Sequence, residues 1–559
     1  MFIKKKTEYK IKKEVNTFDL GEIKEGVNNF DKFIIFKKKK IIKVYDRICD
    51  HAGGKILSRN ENHICPYHNW KFFPETGRYN NGFKKKKLSF KIKNKKIVLK
   101  NEKFIPYLKK SSSKKSIFIE YINHAFLIIK GEKFKFATDP WAFGPAFGLG
   151  WWLKNKTKKN WLDELNDCDF IYISHNHPDH LHQLSLSQIK KEIPIVIPNF
   201  LSNSVFKFLK SMNFKNVKKF NFLETFNYKK TELNFMILKS GDFRDDSGLY
   251  FTAGNTSFIL NVDSNNLNSH NLPETNVFGA SYAGGASGFP LVFENYSEIE
   301  KRNILSKNKK IFKSIRLKEL KITNAKYFLP YAGNFDEKPT KNEYLKKTNQ
   351  KNTIKDYMGI NDNFVTLNTH EYNEFEFFGG KLKNQNKIKN IEFQDLEKDR
   401  YRLNFKNTYS KLTKKEIRDY FLRSNFKDNL ILFLNLKNHD KSNYSISINF
   451  SLSKMKIRFY KKKFSKKELN NKFQKRNLNF LMISTQIESF INIIKNMDSW
   501  ENLVIGFECM VYRIPNVYNV KFWHHFSNIY VKDKFSKKRV ECYSCERLNQ
   551  NLFNEILSI

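Results

Sequence analysis

Apolar and polar positions alternate in short bursts over the first hundred residues, at Phe33–Phe36, Lys40–Tyr45, Leu88–Ile92 and Lys95–Lys100. Bursts this short with a period of two predict a small all-β unit over residues 1–105. Lys109-Lys-Ser-Ser-Ser-Lys-Lys115, within 106–116, reads as a linker. The pattern then changes. Ser116–Glu120, His124–Ile129 and Lys133–Ala137 predict successive strands, and the wholly apolar run Phe170–Ile173 predicts a buried one. Strands at Ile193–Ile197, Leu233–Leu238, Leu249–Thr252 and Ser257–Val262 follow, with a helix over 201–212. A helix over 297–319 leads into a strand at Lys326–Leu329, so residues 117–370 read as one layered unit of strands and helices. Residues 371–559 predict a folded C-terminal α/β unit, helical at 413–423 and 484–496 and extended at 429–435, 444–450 and 503–512.

A chain of 559 residues with 40% apolar residues fits three or four domains and excludes a disordered or fibrous protein. No apolar run reaches the roughly 18 to 20 residues that cross a bilayer. The start, Met1-Phe-Ile-Lys-Lys-Lys, lacks the apolar stretch of a secretory leader, so a cytoplasmic protein is expected. Six cysteines in this context read as reduced thiols. The net charge of +46 comes from a chain-wide lysine excess, with only 15 arginines among 102 basic residues. That argues against a nucleic-acid groove and places runs such as Lys37–Lys40 and Lys84–Lys87 at solvated edges or turns.

Two mixed pairs carry the first chemistry: Cys49-x-His51 and Cys65-x-x-His68. A two-iron, two-sulfur cluster of the Rieske kind takes two thiolates on one iron and two imidazoles on the other, and each loop supplies one of each. Gly53 and Gly54 clear side chains from where backbone N–H groups approach the sulfides, and Pro66 stiffens the second loop. Two Cys and two His are also a zinc set, but zinc fingers pair like with like. The mixed loops therefore predict a [2Fe-2S] cluster that passes one electron at a time.

The second chemistry sits where the strand at 170–173 ends, in Ser174-His-Asn-His-Pro-Asp-His-Leu-His182. His175 and His177 can reach one metal while Asp179 and His180 face a neighbouring one. Asp263 closes a later strand and suits a carboxylate that touches or bridges metals. His124 is expected behind these ligands as a support. The pattern resembles the metallo-β-lactamase superfamily, whose fold is a four-layer αββα sandwich, and the resemblance implies Asp139 as its first structural aspartate. Two departures stand out. Where an intermediate histidine belongs, 239–246 offers only Asp242, Asp245 and Asp246, of which Asp242 is the expected ligand; 328–335 lacks a late histidine. Carboxylate in place of imidazole shifts the expected metal from zinc, the alternative, to iron.

A one-electron cluster has no use in hydrolysis. Its presence, with His124-Ala-Phe, Asp139-Pro-Trp, Gly144–Trp152, the His175–His182 box, Ala283-Gly-Gly-Ala-Ser-Gly-Phe-Pro290 and Leu329–Phe335, resembles the CMP-N-acetylneuraminate hydroxylase family over roughly residues 40–360. The resemblance implies an O2-dependent monooxygenase acting on a nucleotide sugar or a related N-acylated substrate. It implies an external electron donor, a small cytochrome b5-like or ferredoxin carrier with its NAD(P)H reductase. Electrons would enter at Cys49, His51, Cys65 and His68 and serve the metal at His175, His177, Asp179 and His180. Gly284, Gly285, Ser287 and Gly288 are candidate anchors for a substrate phosphate or carboxylate. A metal-dependent hydrolase with an appended cluster domain is the competing reading, and a pure electron-transfer or binding module a further one. Cys542-x-x-Cys545 with His524-His525 is a short motif for zinc or redox chemistry.

Overall fold

The computed structural model describes residues 2–528 except 51–52, 60–61, 67–69, 201–202, 242–244, 338–342, 361, 370–372, 389–391, 394–397, 439–442, 452–453, 474–478 and 497. Two eight-stranded sheets form its centre. One runs, in spatial order, through Phe2–Lys5, Thr225–Tyr228, Leu233–Lys239, Ser247–Ala253, Thr256–Leu260, Val277–Ala280, Tyr327–Pro330 and Val365–Thr366. The other runs through Val217–Phe220, Ile195–Pro198, Phe170–Tyr172, Lys135–Thr138, Phe126–Lys130, Ser116–Asn123, Asn373–Phe378 and Lys381–Lys387.

Alternation along the strands sorts their side chains into layers. In Phe126–Lys130, Leu127 and Ile129 enter the core between the sheets, beside Phe251 and Phe258. Phe126 and Ile128 enter a second core beneath the helices Trp161–Asn166, Gln183–Gln188 and Ser204–Ser211. A third core lies on the far side of the first sheet, under the helix Glu298–Thr323. The result is an αββα sandwich. That long helix starts at a capping box between Ser297 and Glu300 and stops at Asn324, which takes the left-handed conformation at φ 47°.

The sandwich draws strands from outside the stretch 117–370. Phe2–Lys5 pairs antiparallel with Thr225–Tyr228, and Asn373–Phe378 pairs with Ser116–Asn123, because Phe2, Phe375 and Phe377 complete the core between the sheets. The remaining N-terminal strands build three small sheets. The longest pairing joins Glu8–Asp19 to Lys96–Tyr107. The linker is tied down at Leu108, whose N–H donates to the Tyr250 hydroxyl at 3.2 Å, and at Ser111, whose N–H meets the Gly254 carbonyl at 2.9 Å.

The C-terminal unit is a five-stranded sheet with Leu430–Lys437 at its centre, parallel to Asn479–Gln486 and flanked by helices such as Lys414–Ser424 and Ile487–Asn496. The stretch 503–512, read as one strand, divides into the helix Glu501–Ile505 and the strand Cys509–Ile514. Gly506 and Phe507, the latter at φ 58°, make the break. This unit is welded to the sandwich. Phe293 bridges Val511, the Val511 N–H donates to the Val292 carbonyl at 2.7 Å, and Leu291–Phe293 share one core with Phe421 and Trp500.

Candidate active site

The cluster loops are held by their own backbone. The Cys49 N–H donates to the Gly54 carbonyl at 2.7 Å, the Gly53 N–H to the Cys49 carbonyl at 2.9 Å, and the Cys65 N–H to the Trp70 carbonyl at 2.9 Å. Both thiols are buried among Ile34, Trp70, Phe72 and Tyr79. His51 and His68 lie outside the described residues. Lys85 corrects the expectation of a solvated run over 84–87. It is 2% exposed, with its ammonium 2.8 Å from Asp46 and 3.2 Å from Asp50. Burial alone would lower its pKa, but the two carboxylates reverse this and hold it above the usual lysine range. Two acidic neighbours, invisible in a lysine run, fold the residue inward to pin the first cluster loop.

The metal box opens at the end of the strand Phe170–Tyr172. Asp139 accepts hydrogen bonds from the Ser174 N–H at 2.7 Å and hydroxyl at 2.6 Å, and lies 3.0 Å from His180 Nδ1. With Nδ1–H spent on Asp139, His180 turns Nε2 toward the site. The Ser174 hydroxyl, already a donor to Asp139, accepts from His175 Nδ1 at 2.9 Å, so His175 Nε2 carries its lone pair inward. His175 Nε2 and His177 Nδ1 stand 2.8 Å apart. Asp246, 3.7 Å from His175 Nδ1, backs that ring from outside the ligand set.

Among the described residues two groups lie close enough together to hold a metal ion: His175, His177 and Asp263, and His124, Asp179 and His180. Asp263 stands between them, 4.0 Å from His175 Nε2 and 3.4 Å from His180 Nε2. His124, the expected support, is buried with Nε2 3.0 Å from Asp179, and with Asp179 and His180 it forms a group close enough to hold a cation. Its positive φ of 43° turns the tip of the hairpin between two strands, which is what delivers the ring. It places an imidazole beside the box, where the 239–246 and 328–335 stretches contain no histidine. Asp242 lies outside the described residues.

This donor set fits a bound cation. Asp179 Oδ1 and His180 Nε2 are buried with no hydrogen-bond partner, the state of atoms that face a metal. Burial would lower the His180 pKa, yet Asp179, Asp139 and Asp263 hold it well above the usual range. Asp179 is driven the other way. Burial raises its carboxyl, and His180 and His124 overcome that and hold it well below the ordinary value. Carboxylates crowded on one imidazole call for positive charge, which a metal supplies. His182 serves differently, as the N-cap of Gln183–Gln188 through Ser185, and burial keeps it neutral with a pKa of about 4.

A cavity of about 380 Å³ opens onto His177, Asp179 and Asp263. All three units wall it: Trp70 and Asn80 from the N-terminal unit, Phe147 and Trp151 from the sandwich, Arg513 and Tyr518 from the C-terminal unit. Gly284, Gly285 and Ser287 line it. Gly288 is used otherwise, since a β-carbon there would meet the Val504 carbonyl. The cluster loop docks beside this site: a β-carbon on Gly53 would lie 2.9 Å from Asn266 and 3.1 Å from His270, on the loop that follows Asp263. Cys542 and Cys545 lie outside the described residues, as does the side chain of His524. His525 is turned to the Ser424 carbonyl at 3.0 Å.

Residues 2–93 match the Rieske [2Fe-2S] domain, so buried thiol loops of a Rieske domain share one chain with His and Asp side chains of an αββα sandwich that could hold a metal ion. The chain as a whole resembles the cytidine monophosphate-N-acetylneuraminic acid hydroxylases. It is 26% identical over 554 residues to that of Pan troglodytes, covering 91% of this chain and 92% of that one. The Mus musculus and Danio rerio proteins are likewise 26% identical, over 558 and 563 residues, covering 91% of this chain and 94% and 92% of theirs. Among solved structures, the isothiocyanate hydrolase from Delia radicum gut bacteria is 12% identical with a TM-score of 0.30, covering 47% of this chain and 99% of that one. CmlA, a diiron beta-hydroxylase from Streptomyces venezuelae, is 15% identical with a TM-score of 0.26, covering 41% and 46%. The αββα assignment stands on the two sheets and their three cores. Among the described residues no helix is long and apolar enough to cross a membrane.

Proposed function

We propose that this chain is an oxidoreductase, a Rieske-type, O2-dependent hydroxylase whose substrate is cytidine monophosphate-N-acetylneuraminate or a related nucleotide-bound N-acylated sugar. The observation that carries the reading is the docking of the cluster loop, through Gly53, onto the loop that follows the metal carboxylate Asp263. A hydrolase has no need of that contact. The similarity to named hydroxylases over 91% of the chain supports the substrate class.

Cys49, His51, Cys65 and His68 hold the [2Fe-2S] cluster, and the two ligand sets hold one or two metal ions, iron in preference to zinc. Iron held there would supply the activation of dioxygen, and a cluster held by the four Cys and His residues would supply single electrons. The residues around it set the conditions. Asp139 and Ser174 fix the tautomers of His180 and His175. Trp151, stacked on Phe335 at 3.7 Å, and Phe147 give the cavity an apolar wall that limits water at the reacting end. Gly284, Gly285 and Ser287 offer backbone to the substrate. A small carrier, cytochrome b5-like or a ferredoxin, with its NAD(P)H reductase, delivers the electrons.

Turnover of cytidine monophosphate-N-acetylneuraminate by the cluster-loaded protein tests this. The expected result is a product one oxygen atom heavier, formed only with both O2 and reductant and lost in Cys49→Ser. Hydrolysis under anaerobic conditions, unaffected by Cys49→Ser, would overturn it.

A further inference from the structure

Among the described residues two arginines are buried, Arg316 at 0% and Arg513 at 7% exposure. They are treated very differently. Arg316 pairs with Glu319 at 2.5 Å and donates to the carbonyls of Ser281 and Ser264, so its charge is neutralised inside the fold. Arg513 has no carboxylate partner among the described residues. Its Nε–H donates to the Asn516 side chain at 3.1 Å, its guanidinium lies 4.7 Å from the ring centre of Phe293, and the phenols of Tyr296 and Tyr518 are its other neighbours.

Burying a cation with neutral neighbours alone is costly, and a fold that keeps one has a use for an anion at that place. The position is also deliberate. Alternation along Cys509–Ile514 turns Arg513 inward with Cys509 and Val511. Asn295 grips its backbone from both sides, accepting from the Arg513 N–H at 3.1 Å and donating to its carbonyl at 2.8 Å. In a chain with 102 Lys and Arg residues, one basic side chain among the described residues, Arg513, lines the cavity that reaches His177 and Asp263.

We infer that Arg513 is the anion anchor of this cavity, holding a phosphate or carboxylate of the substrate in its planar fork and so making the C-terminal unit part of the binding site. This rests on the reading of the cavity as the substrate site. A guanidinium matches the paired oxygens of either group, whereas an ammonium offers only a point charge.

The test is equilibrium binding to the full-length, cluster- and metal-loaded protein, with cytidine monophosphate, N-acetylneuraminate and cytidine monophosphate-N-acetylneuraminate as probes. Arg513→Met is expected to weaken the nucleotide sugar by about ten- to hundred-fold, the scale of a lost charge-assisted contact, with Arg513→Lys between the two. A loss shared with cytidine monophosphate assigns the phosphate; a loss shared with N-acetylneuraminate assigns the carboxylate. The cluster's visible spectrum and circular dichroism report folding. Should Arg513→Met fail to fold, Arg513→Lys and the salt dependence of wild-type affinity still decide. Unchanged affinity in folded variants overturns the anchor and leaves the hydroxylase reading standing. Wild-type protein that binds none of the probes removes both. Probes bound through Arg513 with no oxygenation sustain the anchor and defeat the hydroxylase reading.

Discussion

A β-carbon on Gly288 would stand 2.0 Å from the carbonyl oxygen of Val504. At φ +67° the residue already occupies backbone space that favours glycine, and it lets the helix Glu501–Ile505 press onto the 283–290 loop. Gly150 repeats the arrangement against the Gly506 carbonyl, also at 2.0 Å. These contacts seat the unit that carries Arg513. Gly288→Ala is therefore expected to cost about 1–3 kcal/mol from overpacking. In a thermal melt with limited proteolysis, the C-terminal unit should become cleavable before the sandwich does. An unchanged melting point and digest would contradict the contact's importance.

His124 and His182 lie within the same aromatic surroundings but have different jobs. His124→Ala is expected to weaken metal binding outside the cluster by about ten- to hundred-fold, read by metal analysis after dialysis against a chelator. His182→Ala should leave the metal content unchanged and cost about 1 kcal/mol, the worth of an N-cap. Equal metal loss in both variants would remove the distinction.

Arg316 and Glu319, both fully buried, hold the loop from Asp263 to Asn265 and the strand end at Ser281. Arg316→Met leaves an uncompensated carboxylate and is expected to cost about 3–5 kcal/mol in denaturant unfolding. Arg316→Met with Glu319→Leu should cost less than the single change. A double variant worse than either single change would show that the pair acts through something other than charge balance.

His270 packs against Gly53 at the contact between the cluster loop and the sandwich. Burial, then the charges of Lys318 and Arg316, lower its pKa from 6.5 to about 3. A depressed pKa means the neutral ring is the form that fits. Its contribution to stability is fully present above pH 6.5 and is lost as pH falls toward 3. The melting temperature of wild-type protein should drop between pH 6.5 and 4 more steeply than that of His270→Gln. Parallel slopes would contradict this.

Most of the metal box was legible because its chemistry clusters. Four histidines and one aspartate within eight positions at a strand end leave few other readings; Asp263 follows from where its strand stops, and Asp139 was implied by the resemblance. His124 was harder, since its partner Asp179 lies 55 residues away and the pairing depends on how the hairpin tip turns. Lys85 was hidden by its lysine neighbours, because burial was decided by Asp46 and Asp50 across a fold of the chain. Gly288 looked like a loop for an anion, but its missing side chain makes room for another backbone. Arg513 carried no local signal at all. What marks it is that no carboxylate among the described residues pairs with it, which only three-dimensional packing reveals.

The central claim is that electrons held at the cysteine–histidine loops are spent at the His/Asp centre on oxygen insertion. The most direct measurement follows the paramagnetic signal of the chemically reduced cluster, in protein whose His/Asp metal is reduced as well so that the two electrons of one oxygen insertion are present, after mixing with isotopically labelled O2 and cytidine monophosphate-N-acetylneuraminate, with product analysed from the same samples. The account predicts that the signal decays in step with appearance of a product carrying the label. Labelled product with an undiminished cluster signal, or product formed without O2, would contradict it.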